Sequence, residues 1–263
     1  MALFYVFEPQ VKLGRKLKFI GSANLGLTFL SNPYNKDKNS TNSYYSLPVS
    51  AYLAFGSGLE YPLNKNLQLS LLTKFIHVSN GGTHEPNKGI NMAALQVRLS
   101  YNPIDNHLLK FTKKPQKLVL KKRLDIGLYA SNKNIAVNES KRRFIFGAMA
   151  NYSKQVSSIN ALTGGIEIIA DQVTEARLQR DQLDKSSMRI GLLLGHEFLF
   201  GKFSVNQQLG CYLFNDTKYF NNLYQRIGVS YYTNARLSIG FSVLAHTTAP
   251  NFTDLRLTYF IRK

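Results

Sequence analysis

The feature that most constrains the fold is a long alternation of apolar with small or polar residues. In SANLGLTFL, residues 22–30, apolar side chains recur at every second position. Alternate residues of a strand share a face, so each run has one apolar face. About 13 such runs occur, many of about 10 to 13 residues. They lie near residues 5–13, 18–31, 47–61, 67–79, 90–102, 121–131, 142–153, 161–170, 187–199, 202–214, 223–232, 235–246 and 252–262.

The length of these runs favours a membrane-spanning barrel. Ordinary strands have about five or six residues, whereas a transmembrane β-strand needs about 9–11. The connections are short at 14–17, 62–66, 200–201 and 233–234 and longer at 32–46, 80–89 and 215–222, as in barrels with short periplasmic turns and long external loops. We predict an all-β fold, an antiparallel outer-membrane β-barrel of about 12–14 strands that residues 1–263 form as one domain. A soluble β-sandwich is the alternative.

The same alternation predicts that strands precede this sequence. With the C-terminus on the short-turn side, the first of 13 runs begins on the external side, whereas a barrel with both ends periplasmic needs an even number of strands. The N-terminal sequence MALFYVFEPQVKLGRKLKF also lacks the basic start and long apolar core of a signal peptide. We therefore expect missing N-terminal strands and a missing signal peptide. The connection 103–120 is long on the short-turn side and has no explanation in the sequence.

Composition narrows the partners and cofactors. The net charge of +18 is compatible with a solvated basic surface, nucleic acid or anionic lipid. Basic residues cluster in apparent turns, notably 110–123, without a stacking platform or a groove-binding helix, which argues against nucleic acid. No stretch approaches the 18 or so apolar residues of a transmembrane helix. The one cysteine, Cys211, excludes an internal disulfide framework and a cysteine-rich metal site.

A polar pair interrupts the apolar face of the run 67–79. His77 and Ser79 share that face with Phe75, and Asn91 lies on the apolar face of the next run. In an antiparallel hairpin the three polar side chains meet at its external end, on the outside of the barrel. Histidine beside serine is the base and nucleophile of acyl transfer, and a third group, here Asn91, orients the imidazole. Oxyanion or loop support is expected from Asn80, Gly81, Gly82 and Asn87.

The wider pattern of this hairpin resembles a known family. The motif H-x-S-N followed by P-N-x-G is formed by His77, Ser79, Asn80, Pro86, Asn87 and Gly89. It is similar to that of the lipid A 3-O-deacylases, also called the PagL or acyloxyacyl-hydrolase-like family, in the long form found in Bacteroidota. The resemblance is most specific over 20–102. It implies an outer-membrane barrel that hydrolyses the acyl ester at position 3 of lipid A, with catalytic residues matching His77 and Ser79.

One position departs from the family pattern. The family's acidic third member is replaced by Asn91, whose neutral amide can hold the histidine tautomer but cannot stabilise an imidazolium by charge. Glu85, in the loop, is an alternative acid. No cofactor or metal is implied, because His196 and Glu197 are strand neighbours that point to opposite faces. His84 is interpreted as a loop residue and Cys211 as a small lipid-facing residue.

Three functions are compatible with the sequence. The first is an outer-membrane esterase that acts on lipid A or lipopolysaccharide in the outer leaflet. The second is a non-catalytic structural or complex-forming barrel of the same family, and the third is a passive pore. Whether the barrel forms a homodimer or joins an envelope complex stays open.

Overall fold

The computed structural model describes residues 1–102, 121–137, 139, 141–217, 219–247 and 249–262. These residues form β1 (Ala2–Phe7), β2 (Gln10–Lys12), β3 (Lys18–Phe29), β4 (Val49–Pro62), β5 (Leu67–Ser79), β6 (Ile90–Tyr101), β7 (Lys122–Asn134), β8 (Arg142–Gln155), β9 (Asn160–Asp171), α1 (Gln172–Arg180), β10 (Arg189–Phe200), β11 (Phe203–Asn215), β12 (Leu223–Tyr232), β13 (Leu237–His246) and β14 (Ala249–Arg262). The connection 103–120 and most of the basic segment 110–123 lie outside the described residues.

The predicted fold class is confirmed. All the strand pairs are antiparallel, from β1 with β3 through β8 with β9. Of the 14 strands in the described residues, eight close into a barrel, and the sandwich alternative is therefore wrong. The first predicted run, 5–13, is divided into β1 and β2 around Glu8 and Pro9, where proline cannot donate to a ladder.

The first compact unit consists of Met1–Asn80 and the described part of Pro86–Gln116. Its sheet has the order β1-β3-β4-β5-β6, with β2 also paired to β3. The period of two gives β5 one face with exposed Leu71 and Phe75 and an opposite face with buried Ser70 and Leu72. Some polar groups of the buried face pair with one another; Ser70 Oγ, for example, donates to Glu60 at 3.2 Å. This sheet positions the candidate site on its exposed apolar face.

The second compact unit consists of Gly81–Glu85 and the described part of Lys117–Lys263. Its strands close in the order β10-β11-β12-β13-β14-β7-β8-β9, and β14 completes the ring with β7. Leucines such as Leu194, Leu213 and Leu255 are exposed on the outer surface, whereas Glu167 and Arg226 are buried inside. Apolar outside and polar inside is the arrangement of a barrel that lies in lipid.

Ion pairs cross the interior of this barrel. Arg226 on β12 pairs with Glu167 on β9 at 2.7 Å, and Arg123 on β7 pairs with Glu197 on β10 at 2.6 Å. Neither pair joins neighbouring strands of the ring, so the side chains bridge the lumen. This filled interior argues against the pore interpretation for the closed barrel.

The helix α1, which the sequence interpretation missed, follows β9 directly. Asp171 caps it by accepting hydrogen bonds from the backbone amides of Val173 and Thr174 at 2.9 and 3.0 Å. Its buried residues include Val173 and Leu178, and Val173 belongs to the apolar cluster inside the barrel. The local signal was present in DQVTEARLQR, where a capping aspartate precedes good helix formers.

None of the helices in the described ranges has the length and apolar character needed to cross a membrane. That residues 1–263 form one domain, and that strands and a signal peptide precede Met1, stay predictions.

Candidate active site

Strand pairing brings the predicted trio together at one end of the β5–β6 hairpin. His77 and Asn91 are direct partners in the antiparallel register. Ser79 ends β5 two residues after His77 and therefore lies on the same face. The three side chains come from two strands that the sheet holds at a fixed spacing, so their geometry depends on the ladder.

The imidazole of His77 lies between the other two side chains. Its Nδ1 atom is 2.7 Å from Asn91 Oδ1 and its Nε2 atom is 2.9 Å from Ser79 Oγ. Because an amide oxygen only accepts, this contact assigns the hydrogen to Nδ1 and leaves the Nε2 lone pair facing the serine. Ser79 Oγ–H then donates to Nε2, which is the arrangement of a nucleophile and its general base.

The trio lies on the apolar, exposed face of the sheet and not on its buried polar face. Phe75 is 53% exposed on the same face of β5, and Leu95 is 69% exposed on the same face of β6. Ser79 itself is only 5% exposed. A hydroxyl is thus sheltered from solvent next to a surface that suits acyl chains.

The loop after β5 is organised by Asn80 and Asn87. The backbone N–H of Asn80 donates to Asn87 Oδ1 at 3.0 Å, and Asn80 Nδ2 donates to Ser46 Oγ at 3.2 Å. The amide hydrogen of Asn80, a predicted oxyanion donor, is therefore engaged within the loop. The Nδ2 group of Asn87 is buried and has no hydrogen-bond partner among the described residues.

Gly89 closes the loop against the histidine. Its φ is +73°, and a Cβ atom placed there would lie 3.1 Å from His77 Cε1. Its backbone N–H donates to Tyr44 O at 2.9 Å, and the preceding Lys88 N–H donates to Ser43 O at 3.1 Å. Segment 43–46 thus supports the site from the β3–β4 connection. The sequence interpretation missed this support, because nothing local in that connection signals a backbone partner about 45 residues away.

The other loop residues that the sequence analysis named belong to a different compact unit from the trio. Gly81 and Gly82 belong to the second unit, as does Glu85. The backbone N–H of Glu85 donates to Asn134 Oδ1 at 3.2 Å. Asn91, and not the alternative acid Glu85, is the side chain that the structure pairs with His77 Nδ1.

The remaining candidate ligands do not assemble into a site. The ring of His84 contacts the backbone oxygen of Glu85, and His196 packs edge-on against Phe198. Glu197 faces the lumen, where it pairs with Arg123. In the part of the chain that the structure describes, no three His, Cys, Asp or Glu side chains could hold one metal ion. Cys211 is a free, exposed cysteine.

Comparison with protein families decides which family these features belong to. Residues 4–100 match the family described as lipid A 3-O-deacylase (PagL), and residues 122–263 match the acyloxyacyl hydrolase C-terminal domain. The chain belongs to the PagL and acyloxyacyl hydrolase family of lipid A deacylases. The resemblance inferred from the hairpin motif is therefore confirmed at the level of the family. The two matched regions cover the β1–β6 sheet and the closed barrel respectively.

Other comparisons add little. No curated protein matches the chain. Matching solved structures include a mutant of the porin of Rh. blastica and a chain described as "Asymmetric conductivity of engineered proteins". Each is 10% identical, over 97% of this chain and 89% of the other chain, with a TM-score of 0.22.

Proposed function

We propose that this family member is an outer-membrane esterase that removes the acyl chain at the 3-O position of lipid A. The observation that carries the proposal is the imidazole of His77 held between Asn91 Oδ1 at 2.7 Å and Ser79 Oγ at 2.9 Å. Family membership supports lipid A as the substrate. The 3-O position is part of that family description, and the Ser/His mechanism rests on the geometry.

The reaction has two steps. Ser79 Oγ attacks the ester carbonyl while His77 Nε2 takes its proton, and the same nitrogen then protonates the departing sugar oxygen. The products of this step are an acyl-serine and a free sugar hydroxyl. Water activated by His77 hydrolyses the acyl-serine, which releases a fatty acid and restores the serine. Asn91 keeps Nδ1 protonated throughout and so keeps Nε2 available as a base.

Asn87 is the proposed donor to the developing oxyanion. Its Oδ1 is fixed by the Asn80 N–H at 3.0 Å, so the orientation of the amide group is set. Its buried Nδ2 keeps N–H donors that no described protein group accepts. A buried unpaired donor is costly by about 1–3 kcal/mol, and a transition-state oxyanion would satisfy it.

The lipid substrate reaches the site laterally, from within the membrane leaflet. The exposed apolar face around Phe75 and Leu95 suits acyl chains of a lipid that is already in the outer leaflet. The ester then reaches Ser79 without leaving the membrane, and the sugar remains at the headgroup level. The high positive charge of the chain favours a phosphorylated lipid.

The test is to express the complete protein in Gram-negative cells with intact lipid A and to record lipid A mass spectra. We expect wild type to remove one hydroxyacyl chain, with fragmentation locating the loss at position 3. Ser79→Ala should leave lipid A intact. Thr73→Ala is the matched control, because Thr73 is a hydroxyl residue on the same face of the same strand, and its Oγ1 donates to Ser57 O. Equal spectra for wild type and Ser79→Ala would overturn the catalytic assignment.

A second candidate, a non-catalytic barrel of the same family, is favoured by one observation. The group at His77 Nδ1 is an amide and not a carboxylate, so it supplies no charge to an imidazolium. Asn91→Glu separates the two candidates. Activity that arises only in Asn91→Glu, from a silent wild type, would support the non-catalytic interpretation.

A further inference from the structure

We infer that the connection between β3 and β4, residues 30–48, holds the proposed oxyanion donor Asn87 in place, with Ser46 as a positioning residue for the proposed reaction. The inference rests on the proposed function for its effect on catalysis. All the residues that carry it belong to the first compact unit.

Strand register brings this connection to the site. β4 pairs antiparallel with β5, and Ala51 is the partner of Ser79. The chain that leads into β4 therefore runs alongside the chain that leaves β5. Ser46 lies in the first of these stretches and Asn80 begins the second, so the ladder itself places the two side chains side by side.

The connection is closed on itself, which allows it to act as a support. The backbone N–H of Leu30 donates to Pro48 O at 2.7 Å. The backbone N–H of Tyr34 donates to Tyr45 O at 2.9 Å. These bonds tie the outgoing half of the connection to the returning half, so Ser46 is carried by backbone whose hydrogen bonds are made on both sides of it.

Ser46 acts on the oxyanion donor through Asn80. Asn80 Nδ2 donates to Ser46 Oγ at 3.2 Å, and the backbone N–H of Asn80 donates to Asn87 Oδ1 at 3.0 Å. Asn80 is 9% exposed, so the bond to Ser46 is made where water has little access and its loss would not be replaced cheaply. The orientation of the Asn87 amide is therefore linked to the hydroxyl of Ser46.

Two backbone bonds hold the other side of Asn87. The N–H of Lys88 donates to Ser43 O at 3.1 Å, and the N–H of Gly89 donates to Tyr44 O at 2.9 Å. The main chain that follows Asn87 is thus fixed by segment 43–46, the same segment that fixes its side chain through Ser46. A displacement of about 1 Å in a catalytic group can cost about 10²-fold in rate. Segment 43–46 therefore preorganises the oxyanion donor without touching the substrate.

Removal of one hydroxyl tests the inference. The assay is the release of hydroxy fatty acid from lipopolysaccharide by the complete protein in detergent micelles. We expect Ser46→Ala to lower kcat about 10-fold with KM unchanged, because the loss affects the orientation of a donor and not lipid binding. Ser46→Thr, which retains the hydroxyl, should restore kcat to the wild-type value. Thr41→Ala, which removes an exposed hydroxyl from the same connection, is the matched control and should leave kcat unchanged.

A double-mutant cycle shows whether Ser46 acts through Asn87. In an Asn87→Ala background the donor is absent, so Ser46→Ala should lower kcat by less than about 2-fold. A full 10-fold loss in that background would mean that Ser46 acts by another route and would overturn the inference.

Hydrogen exchange separates this inference from the proposed function. In Ser46→Ala, exchange in peptides that cover 86–92 should rise about 5- to 10-fold, and in Thr41→Ala it should equal that of wild type. An active wild type with unchanged kcat in Ser46→Ala would overturn the positioning role and leave the esterase proposal intact. An inactive wild type would contradict the esterase proposal; raised exchange in Ser46→Ala would then support the hold of segment 43–46 on Asn87, and equal exchange would overturn it.

Discussion

Replacement of Asn91 by the isosteric aspartate is the most informative single change at the site. Asn91→Asp keeps the oxygen that lies 2.7 Å from His77 Nδ1 and adds one negative charge. When Ser79 transfers its proton, the imidazole becomes positive, and a carboxylate stabilises that charge where an amide cannot. A hydrogen bond to a charged partner contributes about 1.5–3 kcal/mol, compared with about 0.5–1.5 kcal/mol for a neutral one.

The difference of about 1–1.5 kcal/mol corresponds to about a 10-fold increase in kcat. This difference is far smaller than the Coulomb energy of two opposite charges at short range in a dry interior, because Asn91 is exposed. The assay is the release of hydroxy fatty acid from purified lipopolysaccharide in detergent micelles, at saturating substrate. Asn91→Leu, which cannot accept from Nδ1, is the control and should be slower than wild type. A lower kcat in Asn91→Asp than in wild type would refute the assignment of Asn91 as the orienting residue.

Two further substitutions test the packing behind the site and the barrel interior. Gly89→Ala places a Cβ atom 3.1 Å from His77 Cε1 at a φ of +73°, so kcat should fall about 10- to 100-fold in the same fatty-acid assay. Gly201→Ala imposes a similar φ of +63° with nothing within 4 Å of the new Cβ and should leave kcat unchanged; equal activity of the two variants would contradict the proposed contact. Arg226→Met removes the arginine paired with buried Glu167 and one of the two arginines paired with buried Asp254. It should lower the free energy of unfolding by about 3–5 kcal/mol, measured by urea titration in micelles. The exposed Arg236→Met should stay within about 0.5 kcal/mol of wild type, and equal stability of both arginine variants would show that the interior ion pairs are dispensable.

The strands could be predicted from the sequence because their period is independent of their partners. The run 67–79 matches β5 at both ends, and 223–232 matches β12 at both ends. The same period explains why His77, Ser79 and Asn91 could be assigned to one face before their contacts were known. Antiparallel pairing across a single loop brings His77 opposite Asn91 in the structure.

The features that could not be predicted from the sequence depend on contacts between distant parts of the chain. Every long strand has the same alternation, so the sequence does not reveal that the ring closes between β14 and β7. The attachment of Gly81 to Thr253 joins residues 172 positions apart and has no local pattern. The support of the loop by segment 43–46 is likewise a tertiary contact. The helix α1 was predictable from its Asp171 cap, but the period of two on either side dominated the interpretation.

Covalent labelling of Ser79 tests the central claim most directly. A lipophilic fluorophosphonate, incubated with the complete protein in micelles, should phosphonylate the serine whose hydroxyl lies 2.9 Å from His77 Nε2. Peptide mapping is expected to find the adduct on Ser79 in wild type and in Thr73→Ala, and to find none at that position in His77→Ala. An adduct on a different serine, or equal labelling of Ser79 with and without His77, would contradict the claim that the two residues act as nucleophile and base.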